Sequence, residues 1–361
     1  MKTTSIRKAI VPGVAVLAIA LSACGAGNET DAGTGDGLSG TLNGAGASSQ
    51  EAAQGAWRAG FQSANSGATV NYDPAGSSGG REQFIAGGTA FAGSDSYLDN
   101  DEGELDAATE RCSTEPIQVP AYVSPIAVIY NLEGVEDLNL SAETIAAIFD
   151  GSITKWNDPK IAADNEGVEL PDATINPVHR ADGSGTTENF TEYLAAAGGW
   201  SHEPADEWPL QGGEAATGTS GVVAAVTDNP NTIGYADASQ AGDLGKVNVK
   251  VGEDYVAPDA EAAANIIGAS PRVDESSEVN FTVDIDHTTT EAGTYPIVLA
   301  SYLIACQSYD DAATADLVKG YLTYVLSEAG QQASADNAGS APLAAEVATA
   351  ATAAVEKIAA K

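Results

Sequence analysis

Apolar residues in this chain fall into short β-branched runs that alternate with stretches whose apolar positions recur at helical spacing. Behind Ser48 and Ser49, Gln50 to Asn65 sets Ala53, Trp57, Phe61 and Ala64 along one helical face. Ala68 to Tyr72 predicts a strand. Ser77 and Ser78 open a second helix carrying Phe84 and Ile85, and Ala90 to Gly93 predicts a buried strand ending at Ser94 and Asp95. A second unit begins after Pro116. Pro120 to Tyr130 is a long apolar run with Pro125 at its midpoint, and Ser141 to Phe149 is a capped helix with Ile145, Ile148 and Phe149 on its apolar face. Ile175 to Val178 predicts a strand, 187–197 a helix, 219–226 a helix, and Thr232 to Tyr235 a short strand. Tyr295 to Ile304 is a second long apolar strand. Two helices, Asp311 to Leu326 and Leu343 to Ile358, close the chain, and no internal repeat is present.

This alternation predicts an α/β fold of two domains, each a mixed, mainly parallel sheet flanked by helices, with about 320 residues to fill them. The long strands near 117–130 and 295–304 have the look of a double crossover, the chain leaving the first domain on one and returning on the other. Cys112 lies just before the outgoing strand and Cys306 just after the returning one.

The first residues predict an address rather than a fold. Lys2, Arg7 and Lys8 precede an apolar run from Ala9 to Leu21, too short to span a bilayer as a helix. Leu21-Ser-Ala-Cys24, followed by Gly25, resembles the bacterial lipobox, in which the cysteine becomes the first mature residue and carries the lipid; the plainer alternative is a simple signal peptide with an incidental cysteine. The chain then divides into a lipoprotein signal peptide at 1–23, a flexible Gly-, Ala- and Asp-rich tether at 24–40, domain I at 41–120 and 297–361, and domain II at 121–296.

Fifty-one acids face 15 bases, a formal charge of −36; the signal peptide removes three bases and no acid, which leaves −39. Nucleic acid and anionic lipid surfaces are disfavoured as partners at that charge. With Cys24 assigned to lipid, Cys112 and Cys306 form an even pair in an oxidising compartment. A disulfide between them is the expected state, with two buried free thiols as the alternative. Three histidines, His179, His202 and His287, with no cysteine cluster, argue against a metal site, and no cofactor is expected.

Four loops carry candidate chemistry. Each ends a predicted strand and opens a predicted helix, where backbone N–H groups and the positive end of the helix dipole favour an anion. They are Asn43-Gly-Ala-Gly-Ala-Ser-Ser49, Gly76-Ser-Ser-Gly-Gly80, Gly93-Ser-Asp-Ser96 and Arg180-Ala-Asp-Gly-Ser-Gly-Thr186. The first two are weak alone, since such strings also serve as ordinary caps and turns. The third is sharper, because a carboxylate only accepts hydrogen bonds. In an anion site Asp95 requires an oxyanion that still carries a proton, as phosphate does near neutral pH and sulfate does not. The fourth pairs an oxyanion-binding fork, Arg180, with Asp182 two residues on and hydroxyls at a helix start.

In this order the four strings resemble the phosphate-binding subunit of the Pst-type ABC importer, a periplasmic-binding-protein-like family. Ile153-Thr-Lys-Trp-Asn-Asp158 and Asn231-Thr-Ile-Gly-Tyr235 also sit where that family has similar segments, and the match covers most of 41–330. The resemblance implies a two-domain receptor with a two-strand hinge and phosphate in a dry interdomain cleft. It implies that Ser48, Ser49 and Ser77 hold phosphate from the first domain and that Asp95 reads its proton. Arg180, Ser184, Gly185 and Thr186 would hold it from the second, with Asp182 restraining Arg180. Ser49 departs from the pattern, since some relatives carry an aromatic there; the family contact uses the main-chain N–H. The implied protein is not an enzyme. It is a monomer, lipid-anchored on the extracytoplasmic face of the cell membrane, that passes phosphate to permease subunits of an ABC importer. Rival readings are a receptor for another oxyanion such as sulfate, molybdate or phosphonate, a phosphatase-like enzyme, and a surface adhesin or sensor. No base or metal cluster accompanies Ser184 or Ser77, which weighs against the enzyme.

Overall fold

The computed structural model describes residues 37–100 and 103–361. The expected signal peptide, the expected lipidation site Cys24 and all but the last four residues of the expected tether lie outside the described residues. The first half contains β1 (Ser39–Gly46), α1 (Glu51–Ala64), β2 (Gly67–Asp73), α2 (Ser77–Ile85), β3 (Phe91–Ser94), α3 (Glu104–Cys112) and β4 (Ile117–Asn131). Then follow β5 (Asn139–Leu140), α4 (Ala142–Phe149), α5 (Pro159–Asp164), β6 (Asn176–Arg180), α6 (Gly185–Ala197), β7 (Glu214–Ala216), α7 (Gly218–Asp228) and β8 (Thr232–Asp237). The remainder is β9 (Gly245–Lys246), β10 (Asn248–Val251), β11 (Asp254–Val256), α8 (Ala260–Ala269), β12 (Val298–Ala305), β13 (Ser308–Tyr309), α9 (Ala312–Leu326), α10 (Glu328–Ala338), α11 (Ala345–Val355) and β14 (Ala359–Ala360).

One sheet runs through the molecule in the order β2-β1-β3-β12-β4-β8-β6-β7, with β9 also on β4. Its outer arms are parallel and its centre antiparallel. The two long strands do lie side by side: Ile117 to Pro125 of β4 pairs with β12, and Ile126 to Asn131 pairs with β8. Pro125, which has no N–H to give a ladder, stands where β4 changes partner. Beside it Ile126 N–H donates to Ile297 O at 2.8 Å.

The arms pack into separate cores. Trp57, Phe61, Phe84, Phe91 and Tyr321 are buried in the first, between α1, α2, α9 and the sheet. Ile145, Phe149, Trp156, Phe190 and Tyr235 are buried in the second. A smaller cluster of Val178, Val222 and Val226 lies under α7. No helix among the described residues is long and apolar enough to cross a membrane.

Several boundaries differ from expectation. The tether ends before Ser39, because Ser39 and Gly40 pair in parallel with Gly67 and Ala68, and ladder bonds need no side chain. A third closing helix, α10, joins the two expected ones. Its sequence is polar and lacks an apolar stripe, but Ser327 caps it by accepting from Gly330 N–H at 3.2 Å, and Trp57 Nε1 donates to Gly330 O at 2.9 Å.

Cys112, the last residue of α3, and Cys306, just past β12, form a disulfide with Cα atoms 5.1 Å apart. The bridge spans 194 residues of sequence. Replacing both cysteines by serine should therefore lower unfolding free energy by about 2–5 kcal/mol, read as a lower denaturant midpoint; an unchanged midpoint would mean that the bridge adds nothing.

Candidate functional site

Four helices begin at one junction of the sheet. The loop after β1 carries Ser48 and Ser49 to the start of α1, Gly76 precedes α2, Ser184 caps α6 by accepting from Thr187 N–H at 3.2 Å, and Thr217 precedes α7. Their contacts cross between the two arms. The hydroxyls of Ser48 and Thr219 are 3.0 Å apart, and Thr219 N–H donates to Ser48 Oγ at 3.0 Å.

Asp95, one residue past β3, is at the centre and 3% exposed. Its carboxylate accepts from the Ser49 hydroxyl at 2.8 Å on each oxygen, from Thr186 at 2.9 Å and from Ser301 at 2.5 Å. Its own N–H donates to Ser77 Oγ at 3.1 Å. Burial pushes its pKa above the usual carboxylate value, against the pull of the Ser301, Ser49 and Thr186 hydroxyls and the Arg180 charge.

Arg180 ends β6 and is also buried. Asp182 takes one edge of its fork, accepting from Nε at 2.8 Å and from Nη2. Burial acts to raise Asp182, but the hydrogen bonds and charge of Arg180, with Gly218 N–H at 2.9 Å, hold it below the ordinary range. Two glycines permit the close approach of the arms. A Cβ on Gly185 would lie 2.7 Å from Ser96 N and 2.8 Å from Asp95 Cβ. Gly76, at φ +89°, would place one 2.5 Å from Gly183 O.

The structure thus gathers Ser48, Ser49, Ser77, Asp95, Arg180, Asp182, Ser184, Gly185 and Thr186 at one junction. Sequence reading missed four neighbours. Ser301 is a small polar residue inside a buried strand, a position that demands a partner. Thr219 heads a predicted helix to which the sequence alone assigns no role. Asn189 donates to Asp95 O at 2.9 Å and to Gly185 O at 2.8 Å, and Gln240 donates to Ser48 O at 2.9 Å and Ser49 O at 3.0 Å. Neither carries a local signal. His179 stacks on Trp208, and its ring nitrogens meet the carbonyls of Arg180 and Gly212, so it addresses no serine of the junction. No group of three or more His, Cys, Asp or Glu suited to a metal occurs among the described residues.

A cavity of about 420 Å³ opens beside Asp95, lined by Tyr97, Glu188, Asn189, Glu192 and His287. On its flank Arg81 pairs with Glu104 at 2.6 Å on its own side and with Asp206 at 3.4 Å across the junction. Burial lifts Glu188 to about 7, despite a hydrogen bond to Ser96 and the charge of Arg81. The folded chain therefore keeps a proton on Glu188 between its ordinary 4.5 and about 7, where the unfolded chain has lost it. That contribution to stability is present at the acid end and falls as pH rises through the window. Glu188→Gln should flatten this part of the profile, its melting temperature dropping less than the parent's between about pH 5 and about pH 7.5; parallel profiles would refute the assignment.

Residues 30–329 match the family model described as a PBP superfamily domain. Phosphate-binding protein PstS2 of Mycobacterium bovis is 33% identical over 339 residues, covering 90% of this chain and 91% of the relative. Phosphate-binding protein PstS3 of the same organism is 36% identical over 345 residues, covering 91% and 92%. Among solved structures, a high affinity periplasmic phosphate-binding protein bound with phosphate aligns with TM-score 0.71 at 24% identity, over 87% of this chain and 93% of that one. The phosphate binding protein from Stenotrophomonas maltophilia aligns with TM-score 0.66 at 21% identity, over 87% and 94%. At those identities the structures establish the two-domain α/β fold. Family model and sequence relatives together place the chain in the PBP superfamily, within the family of the mycobacterial PstS proteins.

Proposed function

We propose that this chain captures inorganic phosphate at the Asp95–Arg180 junction and delivers it to the permease of an ABC importer, catalysing no reaction itself. The names of its relatives support the ligand. The observation that carries the reading on this chain is Asp95, a buried acceptor set among donors at the meeting of four helix starts. Such a set fits a tetrahedral anion with one protonated oxygen. The helix starts and Arg180 serve the ionised oxygens, and Asp95 receives the remaining proton. A fully ionised anion of the same shape leaves two acceptors facing each other, and an unmade buried hydrogen bond costs about 1–3 kcal/mol.

In this reading domain I (41–120 and 297–361) supplies Ser48, Ser49, Ser77 and Asp95, and domain II (121–296) supplies Arg180, Ser184, Gly185 and Thr186. Asp182 holds the fork of Arg180 in place. The Thr186 hydroxyl, which here reaches Asp95, turns to a phosphate oxygen when the ion enters, and Ser49 meets the ion through its main-chain N–H. β4 and the chain around Ile297 are the hinge, and closure over the ion gives it half its shell from each side. The receptor acts as a monomer, held at the extracytoplasmic face by a lipid on Cys24.

Calorimetry against phosphate and sulfate tests the site. Asp95→Asn should narrow the preference for phosphate over sulfate, and an unchanged preference would remove the proton-reading role. Arg180→Ala should weaken phosphate binding by well over tenfold, since a charge-assisted hydrogen bond contributes roughly 1.5–3 kcal/mol. Cys24→Ala should release the protein from membranes on fractionation; continued anchoring would show that the lipid is elsewhere.

A further inference from the structure

Behind Asp95 a line of polar side chains runs into the first core. Ser301 of β12 donates its hydroxyl to Asp95 Oδ1 at 2.5 Å. Its oxygen accepts from Gln50 Nε2 at 2.7 Å, Gln50 Oε1 accepts from Gln54 Nε2 at 2.9 Å, and Gln54 Oε1 accepts from the Tyr321 hydroxyl at 2.7 Å. Gln50, Gln54, Ser301 and Tyr321 are each 0% exposed, so these polar groups must satisfy one another.

One atom fixes the direction of the whole line. Gln50 Nε2 also donates to the Tyr302 carbonyl at 3.1 Å, and a carbonyl only accepts. The Gln50 amide is therefore held with nitrogen toward Ser301 and oxygen toward Gln54. Gln54 must answer with its NH₂, which turns its own oxygen to Tyr321, and the phenol donates. At the other end Ser301 Oγ receives a proton from Gln50 and sends its own to Asp95. The other acceptor within its reach, Ser94 O, is 3.4 Å away.

We propose that Ser301 and Gln50, backed by Gln54 and Tyr321, are positioning residues that keep Asp95 an ionised acceptor and so give the site its choice of protonated over unprotonated oxyanions. This rests on the phosphate reading above. If Ser301 were turned or removed, Asp95 would lose the donor that does not belong to the ligand-facing loops. Burial would then favour its neutral form. A neutral Asp95 can donate, and so admits an anion without a proton. The other charged and titratable groups around Asp95 are Arg180 from β6, Arg81 from α2, Glu188 from α6 and Tyr72 from β2. Among the described residues none of them hydrogen-bonds to the Asp95 carboxylate, so Ser301 is the fixed donor on the core side.

The test is calorimetry of phosphate and of sulfate across a pH series, on the parent chain and on Ser301→Ala, Gln50→Met and Tyr321→Phe. Ser301→Ala should narrow the phosphate-to-sulfate preference by roughly tenfold. Gln50→Met should narrow it less and Tyr321→Phe least, because each step away leaves more of the line intact. The acid-side loss of phosphate affinity should move to higher pH in the same order. General loosening of the core would instead weaken both anions alike and leave the pH profile in place, and that result overturns the proposal. So does a preference within about twofold of the parent's in both Ser301→Ala and Gln50→Met, a difference too small for a lost charge-assisted bond. A parent chain that binds no phosphate overturns the phosphate reading itself. If Ser301→Ala fails to fold, Gln50→Met decides by the same two readouts.

Discussion

A carboxylate buried where two cores meet is the constraint on which the rest of this structure depends. Taking an ionised carboxylate out of water costs several kcal/mol even after relaxation. For Asp95 that penalty is offset by the hydroxyls of Ser49, Thr186 and Ser301 and by the nearby charge of Arg180. These groups come from the start of α1, the start of α6, the middle of β12 and the end of β6. No single element could assemble them, and each must arrive in a fixed orientation. The buried carboxylate is satisfied only when both arms of the sheet are in register around it.

The sheet order makes that arrival possible. In the parallel arms β1, β2 and β3 share one direction and β6, β7 and β8 another, and helices leave from the carboxyl ends of β1, β2, β6 and β7, the usual place for a ligand crevice. The antiparallel centre of β12, β4 and β8 turns one arm against the other, so that both sets of strand ends face the same junction. β4 belongs to both arms, changing partner at Pro125. Gly185 and Gly76 then allow the backbones to meet at distances no side chain would tolerate.

Legibility in the sequence followed locality. The loops 43–49, 76–80, 93–96 and 180–186 could be read because each is a short string whose glycines and hydroxyls, joined by charges in the last two, sit together just past a strand; the helix expected to open at 93–96 does not, α3 beginning only at Glu104. The paired long strands, and with them the approach of Cys112 to Cys306, could be read from two apolar runs of unusual length. What escaped was the part that depends on tertiary contact. Gln240 and Asn189 matter because of what the fold lays beside them. Ser301 stood in view inside an apolar run, but a buried serine names no partner until its neighbours are known. α10 escaped because it is held by its Ser327 cap and by packing against α1 rather than by an apolar stripe.

The acidity of the chain and the proposed anion site are compatible because, in that reading, selectivity does not come from charge. Each of the two buried arginines near the junction is already matched: Arg180 by Asp182, and Arg81 by Glu104 and Asp206. Neither offers a large unbalanced field, and a field would not tell one divalent oxyanion from another. The hydrogen-bond inventory does tell them apart, since donors satisfy any oxyanion and a single acceptor satisfies only one that brings a proton. The remaining surface charge acts at long range, where salt screens it over about 10 Å. Short-range donors in a low-dielectric junction keep their strength at the same ionic strength. An acidic surface therefore slows the approach of an anion far more than it weakens its hold, and in the proposed reading the carboxylate at the centre is the part of the site that chooses.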